Sequence, residues 1–293
     1  MIVEDAPAKV NLALHVVGQR PDGYHLLQSL VTFAGPGDRL EFRPADRDGL
    51  TISGRFASGL TANPDLSGNL VAVARERLRA ELAHSGRPHL APVHIHLEKN
   101  LPLASGIGGG SADAAATLRG LNRFWAAGLT RTQLGGIGLD IGADVPMCVE
   151  CQPLLAEGIG EIITPRPDLP SFPMLLVNPL VEVSTPMIFR HLSCKTNPRL
   201  TLPPAPSTVT IWLPLLASWR NDLEGPAEAL EPVIGEVIHL LAANGARLAR
   251  MSGSGATCYG LFETLAEAGS CQRRIAAIRP DWYVHASMTI GAH

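Results

Sequence analysis

The chain has 293 residues, 46% hydrophobic and 17% charged, enough apolar material for one large or two ordinary domains. Twenty-four basic and 27 acidic residues leave a formal charge of −3, so electrostatics gives no reason to bind nucleic acid or an anionic membrane. Met1-Ile2-Val3-Glu4-Asp5 lacks the layout of a secretory signal, and the apolar run 211–219, broken by Pro214, is too short for a bilayer. A soluble cytoplasmic protein is expected.

Residues 12–17, 26–32 and 39–42 read as strands. Residues 69–83 read as a helix with Leu70, Val73, Leu78 and Leu82 among its apolar positions. A strand at 93–97 follows, alternating through Val93, Ile95 and Leu97. It leads to the most informative stretch, Pro102-Leu103-Ala104-Ser105-Gly106-Ile107-Gly108-Gly109-Gly110-Ser111-Ala112. Gly106, Gly108, Gly109 and Gly110 allow positive φ and close approach to a ligand. Ser111 and Ala112 then open a helix whose free N–H groups and positive dipole end suit a phosphate.

No lysine follows the glycines, which excludes a Walker loop. A serine at the sixth position of Gly106-Ile107-Gly108-Gly109-Gly110-Ser111 breaks the dinucleotide spacing. On the residues alone, a phosphate cradle and a merely flexible turn both stand.

The helix leaving the loop carries Ala114, Leu118, Leu121 and Trp125 on one stripe, so Trp125 is expected in the core. Thr130 is expected to cap another helix at 130–139. Gly142-Ala143-Asp144 makes a short polar break before Val145-Pro146-Met147. Pro165, Pro167, Pro170 and Pro173 mark a loop and a candidate domain boundary. Beyond it come a strand at 174–177, a proline-rich connection at 198–206, and a helix at 232–243. A strand, glycine turn and strand follow at 248–262. Strands and helices alternate as in a mixed α/β or α+β protein.

Five scattered cysteines argue against a disulfide framework. Cys148 and Cys151 have C-x-x-C spacing, but Cys194, Cys258 and Cys271 supply no second pair, so small buried hydrophobes are expected. His94 and His96 read as surface or packing histidines on one strand face. No residue is assigned to a metal.

Three separated motifs carry a family resemblance. The first is Ala6-Pro7-Ala8-Lys9-Val10-Asn11-Leu12, followed by Gly18-Gln19-Arg20-Pro21-Asp22-Gly23-Tyr24-His25; the second is the glycine loop; the third is Met251-Ser252-Gly253-Ser254-Gly255-Ala256-Thr257. In this order they resemble the GHMP small-molecule kinase superfamily. Gly23-Tyr24-His25 and Gly142-Ala143-Asp144-Val145-Pro146 narrow the resemblance to the branch acting on 4-diphosphocytidyl-2-C-methyl-D-erythritol. It runs from Ala6 to about Phe262 and is weakest across 196–216.

The resemblance implies an α+β, two-domain GHMP kinase fold. An N-terminal domain like the second domain of ribosomal protein S5 would occupy 1–163, with a ferredoxin-like C-terminal domain over 164–293. It implies ATP and Mg2+, a small-molecule substrate with a cytidine diphosphate group, and a monomer or weak homodimer. Asp144 would be the general base, paired with Lys9, whose ammonium would keep the carboxylate ionised and offset charge on the attacking oxygen. Asn69 would lie near the adenine, and residues 102–112 with Gly253 and Gly255 would hold the phosphates. Tyr24 would stack on the cytosine, His25 would contact it and Phe189 would close the other side; Asn11 and Thr185 would position the erythritol or diphosphate. Homoserine, mevalonate or a sugar as acceptor, or a non-catalytic ligand-binding regulator, are the alternatives. One departure stands out: Ser111 is followed by Ala112 and Asp113, where family members often have a longer serine run and then asparagine. Asp113 suits the helix dipole but not a triphosphate, so its side chain is expected to point away from the nucleotide.

Overall fold

The computed structural model describes residues 1–62, 65–202 and 209–291; the proline-rich connection at 198–206 falls partly outside them. In chain order the first elements are β1 (Ile2–Gln19), β2 (His25–Pro44), β3 (Gly49–Ser53), α1 (Ser58–Thr61), α2 (Leu70–His84), β4 (Val93–Glu98) and α3 (Gly109–Phe124). Then come α4 (Arg131–Leu139), α5 (Val145–Glu150), β5 (Leu154–Gly158), β6 (Ile162–Pro165), β7 (Pro173–Asn178), α6 (Thr185–Arg190) and α7 (Val209–Ser218). The last are α8 (Glu224–Leu230), α9 (Val233–Ala243), β8 (Leu248–Met251), β9 (Cys258–Leu261), α10 (Leu265–Ile278) and β10 (Tyr283–Met288).

The chain forms two compact units. The first holds Met1–Ala8, Pro36–Leu103 and Gly108–Cys151; the second holds Lys9–Gly35, Ala104–Ile107 and the chain from Gln152 onward. The long strands β1 and β2, which pair with each other, each contribute to both units.

In the first unit, β3 runs parallel to β4, and β4 runs antiparallel to β2 with Arg39 opposite Glu98 and Pro44 opposite Val93. The alternation of β4 decides its faces. Val93, Ile95 and Leu97 are buried beside Leu40 and Phe42 of β2, while His94 and His96 turn to the other face. There both histidines bond Thr51, and His96 also bonds Ser53. Helix α3 buries Ala114, Leu118, Leu121 and Trp125 as its stripe requires, and packs against α2 and α5. It starts at Gly109, two residues earlier than expected, because Gly108 takes a left-handed φ of 63° and turns the chain into the helix. Thr130 and Gln133 form a capping box at the start of α4.

In the second unit a four-stranded antiparallel sheet has the order β10-β7-β9-β8. All six residues of β7 are buried. Leu175 and Val177 join Ile234, Val237 and Leu241 of α9 and Cys271 and Ile275 of α10 in one core. Residues 27–31 of β2 pair with β5, and β5 with β6.

Three expectations need correction. The strands read at 26–32 and 39–42 are one strand, β2. The apolar run around Pro214 is the helix α7: Pro214 removes one helical hydrogen bond, yet burial of Trp212 and Leu216 outweighs that loss. Of the cysteines, all free, Cys148, Cys258 and Cys271 are buried, but Cys151 is half-buried with φ 50° as the C-cap of α5, and Cys194 is exposed.

A buried glycine in α3 gives a test of this packing. Alanine is ordinarily the better helix former by about 1 kcal/mol. At Gly120, however, a Cβ would lie 2.3 Å from Cε2 of the fully buried Phe42 ring. Overpacking of this kind costs about 1–3 kcal/mol. Gly120→Ala should therefore lower the urea midpoint while leaving the m-value unchanged.

Candidate functional site

Residues 104–107 of the glycine loop belong to the second unit, where three successive carbonyls are pinned. Ser105 O accepts from the Thr257 N–H at 3.2 Å, Gly106 O from Ser252 Oγ at 3.2 Å, and Ile107 O from the Lys9 N–H at 2.9 Å. A Cβ on Gly106, whose φ is 72°, would meet Gly255 O and N and Ser252 O at 2.6–2.7 Å. A Cβ on Gly253, φ 56°, would lie 2.8 Å from Gly106 O. The second and third motifs are thus fitted backbone to backbone, and glycine is required on both sides.

Strand β1 brings the first motif to the same place. Lys9, 4% exposed, donates from Nζ to Asn11 Oδ1 at 3.0 Å. Asn11 Nδ2 donates to Ser29 Oγ at 2.7 Å, and Ser29 Oγ donates to Ala13 O. The Asn11 N–H donates to Ser252 Oγ at 3.1 Å. Lys9 and Asn11 are therefore buried polar residues with fixed orientations, not surface side chains.

Three residues missed in the sequence hold the third motif. Asn221 Nδ2 donates to Met251 O at 2.9 Å and Gly253 O at 2.8 Å. Glu224 accepts from the Met251 N–H at 2.7 Å, and burial raises its carboxyl pKa. Arg250, 6% exposed, donates to the carbonyls of Leu12, Leu216 and Trp219. Only the polar run Asn221-Asp222 after the apolar 211–219 stretch hinted at them.

A cleft of about 570 Å³ lies in the second unit, lined by Gly23, Tyr24, His25, Thr185, Phe189 and Lys195 among others. Such a volume is ordinary for a small-molecule site. Gly23, with φ 92°, turns the chain so that Tyr24 stands 61% exposed. His25 stacks on Phe189, centroids 4.7 Å apart and planes 18° from parallel. Burial, with the Lys195 charge beside it, lowers the His25 pKa and keeps the ring neutral at pH 7. A neutral imidazole carries one donor and one acceptor, and His25 Nε2 is buried with no protein partner. Thr185 Oγ1 is 2.7 Å from Ser254 Oγ, tying α6 at the cleft to the third motif. Tyr24, His25 and Phe189, assigned to the cytidine, and Thr185, assigned to the erythritol or diphosphate, therefore line one cleft.

Both ends of the loop belong to the first unit. Pro102 there is buried and Leu103 half-buried, while Ala104, of the second unit, is exposed with φ 46°. Gly109, Gly110 and Ser111 form the first turn of α3, and Ala112 N–H donates to Gly108 O. Asn69 is the N-cap of α2, its Oδ1 accepting from the Val71 N–H at 2.9 Å. Asp144 is half-buried at the N-cap position of α5. Asp113 does turn into the protein, where Lys99 Nζ donates to it at 2.6 Å. Among the described residues, no group of three or more His, Cys, Asp or Glu is placed to hold a metal.

Comparison with known proteins agrees with these motifs. The family models "GHMP kinases N terminal domain" and "GHMP kinases C terminal" match residues 69–152 and 213–279. A 4-diphosphocytidyl-2-C-methyl-D-erythritol kinase of Sinorhizobium medicae (strain WSM419) is 59% identical over 287 residues, 98% of this chain and 94% of the relative. A crystal structure of 4-(cytidine 5'-diphospho)-2C-methyl-D-erythritol kinase superposes with a TM-score of 0.80 at 33% identity, covering 99% of this chain and 100% of that one. A homoserine kinase from Cytophaga hutchinsonii superposes at 0.71 with 18% identity, covering 99% and 95%, and shares the fold alone. The chain has the two-domain GHMP kinase fold and belongs to the 4-diphosphocytidyl-2-C-methyl-D-erythritol kinase family of that superfamily.

Proposed function

We propose that the protein transfers the γ-phosphoryl group of ATP to a hydroxyl of 4-diphosphocytidyl-2-C-methyl-D-erythritol, giving the 2-phosphate and ADP. The observation that carries this reading is the cleft in which Tyr24, His25, Thr185 and Phe189 meet, in a chain 59% identical to a kinase of that name. A small aliphatic acceptor has no use for a stacking aromatic beside a neutral base-edge reader.

In the proposed reaction the substrate hydroxyl oxygen forms a bond to the γ-phosphorus, and the bond from that phosphorus to the β,γ-bridging oxygen breaks. Asp144 receives the hydroxyl proton and passes it to solvent. Lys9 offsets charge developing on the attacking oxygen, and its bond to Asn11 fixes where its ammonium points. Residues 102–112, Gly253 and Gly255 cradle the phosphates, and Asn69 lies by the adenine. Asn11 and Thr185 orient the erythritol diphosphate. The Ser111 hydroxyl would help to hold the Mg2+ bound with ATP, which would supply neutralisation of the phosphate charge. The reading places the enzyme in the cytoplasm as a monomer or weak homodimer; among the described residues no helix is long and apolar enough to cross a membrane.

A coupled ADP-release assay tests the reaction. Mg-ATP with the cytidyl alcohol should turn over, while homoserine and mevalonate should not. Asp144→Ala should lower kcat by about 10²-fold or more, the usual scale for removing a general base. Turnover with another acceptor would discard the cytidine cleft, and ATP binding without turnover would favour a regulator.

Tyr24→Ala tests the stacking role separately. Base stacking on an aromatic is worth about 1–3 kcal/mol. KM for the cytidyl alcohol should rise about tenfold or more, with KM for ATP moving less than about twofold.

A further inference from the structure

The first unit contains a buried charge cluster that the proposed mechanism does not use. Lys99 lies just after β4 and is 1% exposed; Asp38 on β2 is 1% exposed and Asp113 on α3 is 3% exposed. Lys99 Nζ donates to Asp38 Oδ2 at 2.5 Å and to Asp113 Oδ2 at 2.6 Å. Asp38 Oδ1 also accepts the N–H groups of Asn100 at 2.5 Å and Leu101 at 2.8 Å. Asn100 and Leu101 are the residues from which the glycine loop departs. At the other foot of the loop, a Cβ on Gly109 would lie 3.2 Å from Lys99 Nζ and 3.8 Å from Asp38 Oδ2. Lys99 itself is anchored by its backbone, its N–H donating to Ser53 O and its carbonyl accepting from Phe56 N–H.

We infer that Lys99 is a positioning residue for the nucleotide, stapling the entry and exit of the glycine loop through Asp38 and Asp113. The inference rests on the loop being the ATP site.

Asp38 divides its acceptors between two jobs: Oδ2 takes the Lys99 ammonium, and Oδ1 takes the two backbone N–H groups at the entry of the loop. Asp113 carries the same ammonium to α3, at the exit. All three side chains are buried, so losing the ammonium leaves carboxyl oxygens on both sides of the loop without their donor.

Two variants test this role. Lys99→Gln should raise KM for ATP about tenfold or more while KM for the alcohol moves less than about twofold. If that variant does not fold by circular dichroism, Asp38→Asn, which weakens the grip on the same ammonium, should give the same split. Either folded variant with wild-type KM for ATP would overturn the positioning role.

A wild type that binds no ATP would remove the nucleotide reading itself, whereas a folded variant with wild-type KM for ATP overturns only the role of Lys99.

Discussion

The site is built on a close approach of backbone to backbone. In the second unit, Gly106 lies so near residues 252–255 that no side chain fits between them. This constraint explains the glycines before any ligand is considered. It also explains why the loop carbonyls are all spoken for: Ser105, Gly106 and Ile107 each give theirs to a different partner, on the third motif or on β1. A glycine-rich loop is costly to order because glycine loses the most conformational freedom. Here that cost is offset by bonds that fix the loop from the protein side. Preorganisation of this kind is what phosphoryl transfer asks of a protein, since little of the chemistry is covalent.

Buried polar groups then transmit the constraint. Lys9, Asn11, Ser29 and Ser252 form one connected chain of donors and acceptors, so the orientation of the Lys9 ammonium depends on residues far away in sequence. Asn221 grips the third motif by two of its carbonyls, and Arg250, just before that motif, gathers the carbonyls of Leu12, Leu216 and Trp219. Tyr259 adds a bond from its hydroxyl to Leu12 O, and burial pushes its pKa up to about 12, so it stays a donor. Breaking any one member leaves others buried and unsatisfied, at about 1–3 kcal/mol each. Such networks specify one arrangement because partial satisfaction is worse than none.

Sequence patterns reveal those parts of the molecule that depend on local physics. The stripe Ala114, Leu118, Leu121, Trp125 follows from helical periodicity, and the Thr130 cap from hydroxyl chemistry. The three motifs were visible as motifs because their glycines and short polar residues are rare in regular elements. By contrast, α7 was hidden because its proline is tolerated only through the tertiary burial of Trp212 and Leu216. The joining of residues 26–32 and 39–42 into one strand depends on pairing partners, β5 for one half and β4 for the other. The roles of Asn221, Glu224 and Arg250 were not legible in the sequence. They are bonds to backbone groups 27 to 238 positions away, and no local pattern encodes those.

Asp113 shows how a departure in sequence acquires meaning from its surroundings. A carboxylate two residues after the loop serine is hard to reconcile with a triphosphate if it is charged and facing the ligand. The structure removes the second condition. The side chain turns inward and shares the Lys99 ammonium with Asp38, which is also buried. The carboxyl group thus meets its counter-charge inside the protein rather than at the ligand. An anomaly in the nucleotide loop is thereby converted into the anchor of its first helix. The same residue type at an exposed position would repel the ligand that its buried counterpart helps to place.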